Sequence, residues 1–450
     1  MNLKIMNWKA TRAGLRSLVK RAVGRAYRGA ADSAWDMSTA ECWSDQAQAF
    51  ARIYAFARAR VPYYRDRPQQ YPAQLQGGGV LASLADLPII DKSTVRAHNE
   101  ALWPVPQLLL TSVHTTSGTS GTPMRLHATL FERSRGLARL ESWYRRICGT
   151  SSPRTLFLSG FMTPSPDARE LSWRDPITGD RYLSIYSLAY QHREAIARLI
   201  EQDRPQLVYG YASAVHELAA LMGERLRHSV AERAVVVTSE VLQPDWRARI
   251  TESLGARTYD LYGSQEGCHM AMECDLHRLH IHPRVGVIEI LDDDGTPTPA
   301  GETGRVVITG LDRRSMPLFR YEIGDVAEST GHAGECACGL AWPTIGVVGG
   351  RSEDLVRTPD GRRLGLLCFH ATKELRGLRE GQLVQRGFDR FTFNLVRQPG
   401  ETVAPDIEAR ILAQLTTRLG YAPTVEFRYL DQIPRGARGK FKAVVVEFDE

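Results

Sequence analysis

The sequence predicts an α/β protein: a large N-terminal domain of β-sheets covered by helices, plus a small α+β C-terminal domain. Three observations carry this. The chain has 450 residues, and single cores stop growing beyond roughly 250–300 residues. Between Thr155 and Tyr262, short apolar runs alternate with longer amphipathic ones, as in a parallel sheet with covering helices. After Arg351 the pattern changes to paired strands around one helix, which places a boundary near Asp354. The expected division is a basic extension over 1–35, a large domain over 36–353 and a small mobile domain over 354–450.

Taken in order, residues 11–28, 40–60 and 129–147 carry apolar residues at helical spacing. Leu87–Ile90 is a short apolar run, and Asp91 is placed to cap a following helix. Strands are expected at Thr155–Ser159, Leu207–Tyr209, Ala234–Thr238 and Thr258–Tyr262. Helices are expected near 192–202, 213–227 and 244–254. Residues 285–291 and 304–310 form strands joined by the turn-rich Asp292-Asp293-Asp294-Gly295. The last part offers strands at Leu383–Gln385, Arg390–Val396, Thr424–Tyr429 and Lys442–Phe448, with a helix at 405–419.

Composition excludes several classes. Apolar residues at 43% and charged residues at 24% match a soluble globular chain. No apolar stretch is long enough for a transmembrane segment. A net charge of +6 is too mild for a nucleic-acid binder. The excess sits in residues 1–31, which hold Lys4, Lys9, Arg12, Arg16, Lys20, Arg21, Arg25 and Arg28 and no acid. That start has three readings: a transit peptide, an amphipathic surface helix in contact with a membrane, or a solvated helix packed on the domain. Seven cysteines in so long a chain suit a reducing, cytoplasmic compartment better than a disulfide framework.

The strongest local signal is Thr115-Thr116-Ser117-Gly118-Thr119-Ser120-Gly121-Thr122-Pro123. Such a loop turns tightly and presents N–H groups and hydroxyls to a phosphate. It lacks the Gly-Lys-Ser/Thr ending of the common nucleotide loop. Four further elements follow: Tyr262-Gly263-Ser264-Gln265-Glu266, Arg320-Tyr321-Glu322-Ile323-Gly324-Asp325, Gly350-Arg351-Ser352-Glu353-Asp354 and Gly439-Lys440-Phe441-Lys442. Together, and in this order, they resemble the motifs of the adenylate-forming acyl ligase superfamily. Val61-Pro62-Tyr63-Tyr64-Arg65, Leu87-Pro88-Ile89-Ile90-Asp91-Lys92, Pro205–Tyr211 and Cys336-Ala337-Cys338-Gly339 are similar to its phenylacetate–CoA ligase branch and the capsule-cluster CapK-like relatives. The resemblance spans about residues 50–445.

The resemblance implies activation of a carboxylic acid by ATP as an acyl-AMP, then transfer to the thiol of CoA. Thr116, Ser117, Gly118, Thr119, Ser120, Gly121 and Thr122 would hold phosphates, with Met124 and Arg125 where many relatives carry a lysine. Glu266 would anchor Mg²⁺, a cation that prefers hard oxygen ligands. Tyr262 would face adenine, with Gly263 and Ser264 beside it; Gln265 departs from the usual Thr or Ser. Asp325 would accept from the ribose hydroxyls, Arg351 would reach ribose or phosphate, and Glu240 would line the adenine and acyl pocket. Lys440 would serve adenylation, with Lys442 its nearby rival. The aromatic stretch Tyr209, Gly210, Tyr211 and Ala212, together with Phe157–Phe161, is the candidate acyl pocket, better suited to an aromatic acid; these residues serve equally well as core.

Cys274, His280, Cys336 and Cys338 give a His and three thiols at spacings that suit tetrahedral Zn²⁺. The relatives carry a similar pair of clusters. With four protein ligands the site would be structural, while Cys268, His269, His277 and His282 compete in sequence. Two rivals remain to the CoA reading. One passes the acyl group to an amine, a carrier protein or a polysaccharide; the other is a non-catalytic nucleotide-binding scaffold. Neither the acid nor the oligomeric state is fixed by the sequence.

Overall fold

The computed structural model describes residues 19, 22–115, 124–158, 171–185, 188, 190–231, 234–331, 336–351, 356–359, 363–364, 378–397, 402–403, 405–419, 421–434, 442 and 444–448. The loop at 116–122, the hinge residues 352–355 and Lys440 lie outside them.

Helix α1 (Thr39–Arg60) opens on a capping box in which Ser38 and Glu41 satisfy each other's backbone N–H groups. It buries Phe50, Ile53, Tyr54 and Ala57. A two-stranded hairpin follows, β1 (Thr111–Thr115) against β2 (Arg125–Thr129), and its tip carries the hydroxyl-rich loop. Thr129 and Glu132 cap α2 (Leu130–Cys148), and Gly149 ends it at φ 70°. Residues 28–35 lie along α2: Arg28 meets Glu141, Asp32 takes Arg145, and Trp35 donates to Ser142. This end of the basic segment is therefore packed on the protein.

The central layer uses β3 (Thr155–Leu158), β4 (Ser172–Arg174), β5 (Arg181–Leu183), α3 (Arg193–Asp203), β6 (Leu207–Tyr211), α4 (Ala212–Met222), β7 (Ala234–Thr238), α5 (Pro244–Leu254), β8 (Arg257–Gly263), β9 (Met270–Glu273) and β10 (Leu279–Ile281). Strand order is β14-β10-β9-β8-β7-β6-β3-β5-β4, where β14 is Thr344–Ile345. Strands β5, β3, β6, β7 and β8 run parallel, and antiparallel strands complete both edges. Ala234-Val235-Val236-Val237 is buried throughout, as a parallel strand covered on both faces must be. Gly210 is set by packing: a side-chain carbon there would lie 2.4 Å from the Leu158 carbonyl oxygen.

A second, antiparallel sheet joins β11 (Gly286–Leu291), β12 (Thr303–Gly310), β13 (Tyr321–Glu328) and β15 (Val348–Arg351). The Leu87–Ile90 run is no strand of its own. It straps this sheet, with Ile90 N–H donating to Arg320 O and Glu322 N–H to Ile90 O. Arg320 is buried against Glu289 and serves this junction. A short ribbon, β16 (Val356–Arg357) with β17 (Arg363–Leu364), precedes a last sheet in the order β20-β19-β18-β21. Its strands are β18 (Leu378–Gln385), β19 (Arg390–Arg397), β20 (Thr424–Leu430) and β21 (Val444–Val446). Helix α6 (Ile407–Leu419) supplies Ile407, Ile411, Leu415 and Leu419 to its core. Val396 and Ile433 leave that core and join the cluster of Trp246 and Ile250. Among the described residues no helix is long and apolar enough to cross a membrane.

Candidate active site

Parallel α/β sheets present their ligand surface beyond the strand carboxyl ends. Here β6, β7 and β8 end side by side on Tyr211, Thr238 and Gly263. Each is followed by a predicted site segment: Ala212, Ser239-Glu240 and Ser264-Gln265-Glu266. Glu240 reaches across, its Oε2 accepting from Ser213 N–H at 2.9 Å, and so braces the start of α4.

The turn after β8 closes with Gly267 N–H on Ser264 O, and Gly267 sits at φ 65°. Tyr262 points out of the strand and its Oη donates to Asp325 Oδ2 at 2.8 Å. Asp325 is in register with Arg351 of β15. Three motif elements spread over ninety residues of sequence thus meet at one place. Gly350 sits at φ 98°, and a side-chain carbon added there would lie 3.3 Å from a methyl of Val241, the neighbour of Glu240. Glu266 is 7% exposed, and its carboxylate makes no hydrogen bond or ion pair among the described residues. The Ser264 hydroxyl is also buried without a partner among the described residues.

Two residues were not read in sequence as part of this place: His269, which stood there only as a rival zinc ligand, and Asp260. His269 packs tilted against Tyr262, centroids 4.6 Å apart, and burial pulls its imidazole down to about 3. It is a neutral wedge behind the tyrosine. Asp260 shares a strand face with Tyr262 by the two-residue period of β8, which was the signal available in sequence. Burial, with Glu273 beside it, pushes its carboxyl up to about 7. A raised folded-state pKa gives stability that is present at low pH and is lost as pH rises through about 7. Asp260→Asn should therefore gain on the wild type between pH 5 and pH 8 in melting temperature; parallel pH profiles would contradict this.

The proposed acyl pocket begins an aromatic row. Tyr209 meets Phe157 at 5.6 Å, Phe157 stacks on Tyr182 at 4.8 Å, and Tyr182 on Trp173 at 4.4 Å. The row runs across β6, β3, β5 and β4 on one face of the sheet. Burial pushes the Tyr209 phenol up to about 12, so it stays neutral. Residues 159–161 of the predicted pocket lie outside the described residues.

The thiol–imidazole set converges. Ligand atoms of Cys274, His280, Cys336 and Cys338 all lie within 4.8 Å of one another. Cys274 Sγ is 3.9 Å from Cys336 Sγ, and Cys338 Sγ is 3.5 Å from His280 Nε2. A tetrahedral zinc ion would set these edges at about 3.8 and 3.6 Å from its usual bond lengths. The rivals are engaged elsewhere: Cys268 Sγ donates to Glu266 O, His269 backs Tyr262, His277 sits against Glu273, and His282 packs on Trp342.

Residues 358–447 match the family model described as the CapK C-terminal domain. The chain is 26% identical over 328 residues to phenylacetate–coenzyme A ligase of Thermus thermophilus, covering 69% of this chain and 70% of that one. It is 21% identical to protein CapK of Staphylococcus aureus over 406 residues, 88% of this chain and 87% of that one. Among solved structures, 2-hydroxyisobutyryl-CoA ligase in its postadenylation state matches with TM-score 0.69 at 20% identity, covering 92% of this chain and 90% of that one. An anthranilate CoA ligase matches with TM-score 0.53 at 16% identity, covering 74% and 65%. The fold is that of the adenylate-forming ligases, and the sequence is similar to phenylacetate–coenzyme A ligases and to CapK.

Proposed function

We propose that this protein is an ATP-dependent, AMP-forming carboxylate ligase that passes its acyl group to the thiol of CoA. The observation that carries the reading is the junction of Tyr262, Asp325 and Arg351 beside Glu266, a buried residue whose carboxylate makes no hydrogen bond or ion pair among the described residues. A carboxylate taken out of water without a partner is costly. Such a group is explained by a cation that the working site brings. Mg²⁺ fits this hard oxygen donor, and when bound with ATP it supplies charge neutralisation at the phosphates.

The chain's own residues do the rest. Tyr262, fixed by Asp325 and backed by His269, offers a rigid face for adenine. Asp325 accepts from the ribose hydroxyls, a common bidentate use of a carboxylate. The carboxylate oxygen of the acid attacks the α-phosphorus, and the bond to the β-phosphate oxygen breaks with its electron pair leaving on pyrophosphate. The CoA thiolate then attacks the acyl carbon and AMP departs. The aromatic row from Tyr209 to Trp173 favours a planar, aromatic acid. In this reading Lys440, outside the described residues, serves adenylation.

The Cys274, His280, Cys336 and Cys338 set is read as a closed zinc site that pins β10 to the 336–338 turn. Metal analysis should find about one zinc per chain. Chelation should lower the melting temperature by roughly 5 °C or more with a smaller effect on the chemistry, since four protein ligands leave no position for substrate. Protein free of soft metal yet equally stable would contradict the assignment.

The acceptor is tested by product mass. With ATP, Mg²⁺, a panel of aromatic acids and CoA, the expected products are an acyl-CoA and AMP. Acyl-AMP formed at the same rate with CoA left unused would move the reading to an amine, carrier-protein or polysaccharide acceptor.

A further inference from the structure

The hydroxyl-rich loop is followed by Met124 and Arg125 rather than a lysine, and Arg125 is turned to Glu100 at 3.8 Å and to the Trp103 ring, so a polyphosphate at the loop draws its positive charge from elsewhere. The fold brings two guanidinium groups to the Gln265–Gly267 turn. Arg313 brings its Nη1 end against Gly267: a side-chain carbon added there would fall 2.0 Å from Nη1 and 3.1 Å from Cζ. Glycine at this position is what lets the guanidinium approach. Arg313 Nε donates to His127 O at 3.1 Å, which fixes the root of the group, and no carboxylate among the described residues lies within ion-pair distance of it.

Arg133 comes from α2. Its Nη2 donates to His114 Nδ1 at 2.9 Å, and His114 Nε2 lies 3.3 Å from Gln265 O. A guanidinium can only donate, so Nδ1 accepts and the imidazole hydrogen sits on Nε2, facing the carbonyl. Burial, with Arg133 next, pulls His114 down to about 4, so this neutral form is the working one. His114 is the penultimate residue of β1, the strand that leads into the hydroxyl-rich loop. One imidazole thus ties together that strand, the Glu266 turn and a cation.

We propose that Arg313 and Arg133 form the docking site for the β- and γ-phosphates of ATP and hold the departing pyrophosphate, in place of a loop lysine. The inference rests on the ligase reading above. It predicts that these side chains are felt by pyrophosphate and ATP, and hardly by AMP or CoA.

The test uses the full chain and inorganic pyrophosphate as the probe. In ATP–pyrophosphate exchange, Arg313→Ala should raise the KM for pyrophosphate by about ten- to a hundredfold, the scale of one lost charge-assisted hydrogen bond. AMP affinity by calorimetry and the KM for CoA should stay within about twofold, and Arg313→Lys should recover part of the loss. An unchanged pyrophosphate KM in Arg313→Ala, or equal weakening of AMP and CoA, overturns the proposal while leaving the ligase reading intact. If the wild type catalyses no exchange, the ligase reading fails, and direct calorimetry of Mg–pyrophosphate on wild type and Arg313→Ala still decides the site. Arg313-dependent binding supports it, and equal or absent binding overturns it.

Discussion

Lys440→Ala should lose adenylation by roughly 10²–10³-fold, the usual scale for one preorganised donor, while keeping most transfer from pre-made acyl-AMP to CoA. The two half-reactions place different demands on the site. Adenylation brings two anions together; thiol transfer expels one. A lysine that is brought in for the first step and withdrawn for the second serves both demands. The anchors on either side of the segment are in place. Ile433 is wholly buried in the cluster of Trp246 and Ile250. Lys442 O accepts from Gln382 at 2.7 Å, which ties that residue to β18. Lys442→Ala should be much milder for that reason. Any rotation of residues 354–450 must also withdraw Val396 and Ile433 from that cluster. Equal loss of both half-reactions in Lys440→Ala, or a milder effect than Lys442→Ala, would remove the assignment.

Glu266→Gln should lower the adenylation rate by about 10²-fold or more, the scale of losing one preorganised electrostatic contact. Its melting temperature should equal or exceed that of the wild type. Glu266 is buried, and its carboxylate makes no hydrogen bond or ion pair among the described residues. Neutralising it breaks no hydrogen bond or ion pair among the described residues. Raising Mg²⁺ should recover little activity, since glutamine cannot offer the same anionic oxygen. A variant that loses stability and keeps its rate would make Glu266 a structural residue.

What the sequence disclosed follows physical lines. Ala234–Thr238 and Pro244–Leu254 were legible to the residue, because one is a continuous apolar run and the other starts on a proline at its first turn. Strands β4, β5, β9 and β10 escaped notice: each has only three or four residues, too short for a period to register. The Tyr262–Asp325 bond joins residues 63 apart, and only the order of motifs, read through a family resemblance, brought them together beforehand. The cysteine and histidine spacings pointed to a metal, yet the fold was needed to separate His280 from His269, His277 and His282. Arg313 and His114 carried no signal at all. One arginine among many looks like solvated surface until Gly267 is found beneath it.

The central claim, that carboxylate and ATP react at this junction with loss of pyrophosphate, is tested most directly by isotope exchange. Labelled pyrophosphate should enter ATP only when Mg²⁺ and a carboxylic acid are both present, and AMP should be the nucleotide product. Release of ADP and phosphate by an active preparation, or exchange that needs no acid, would contradict it.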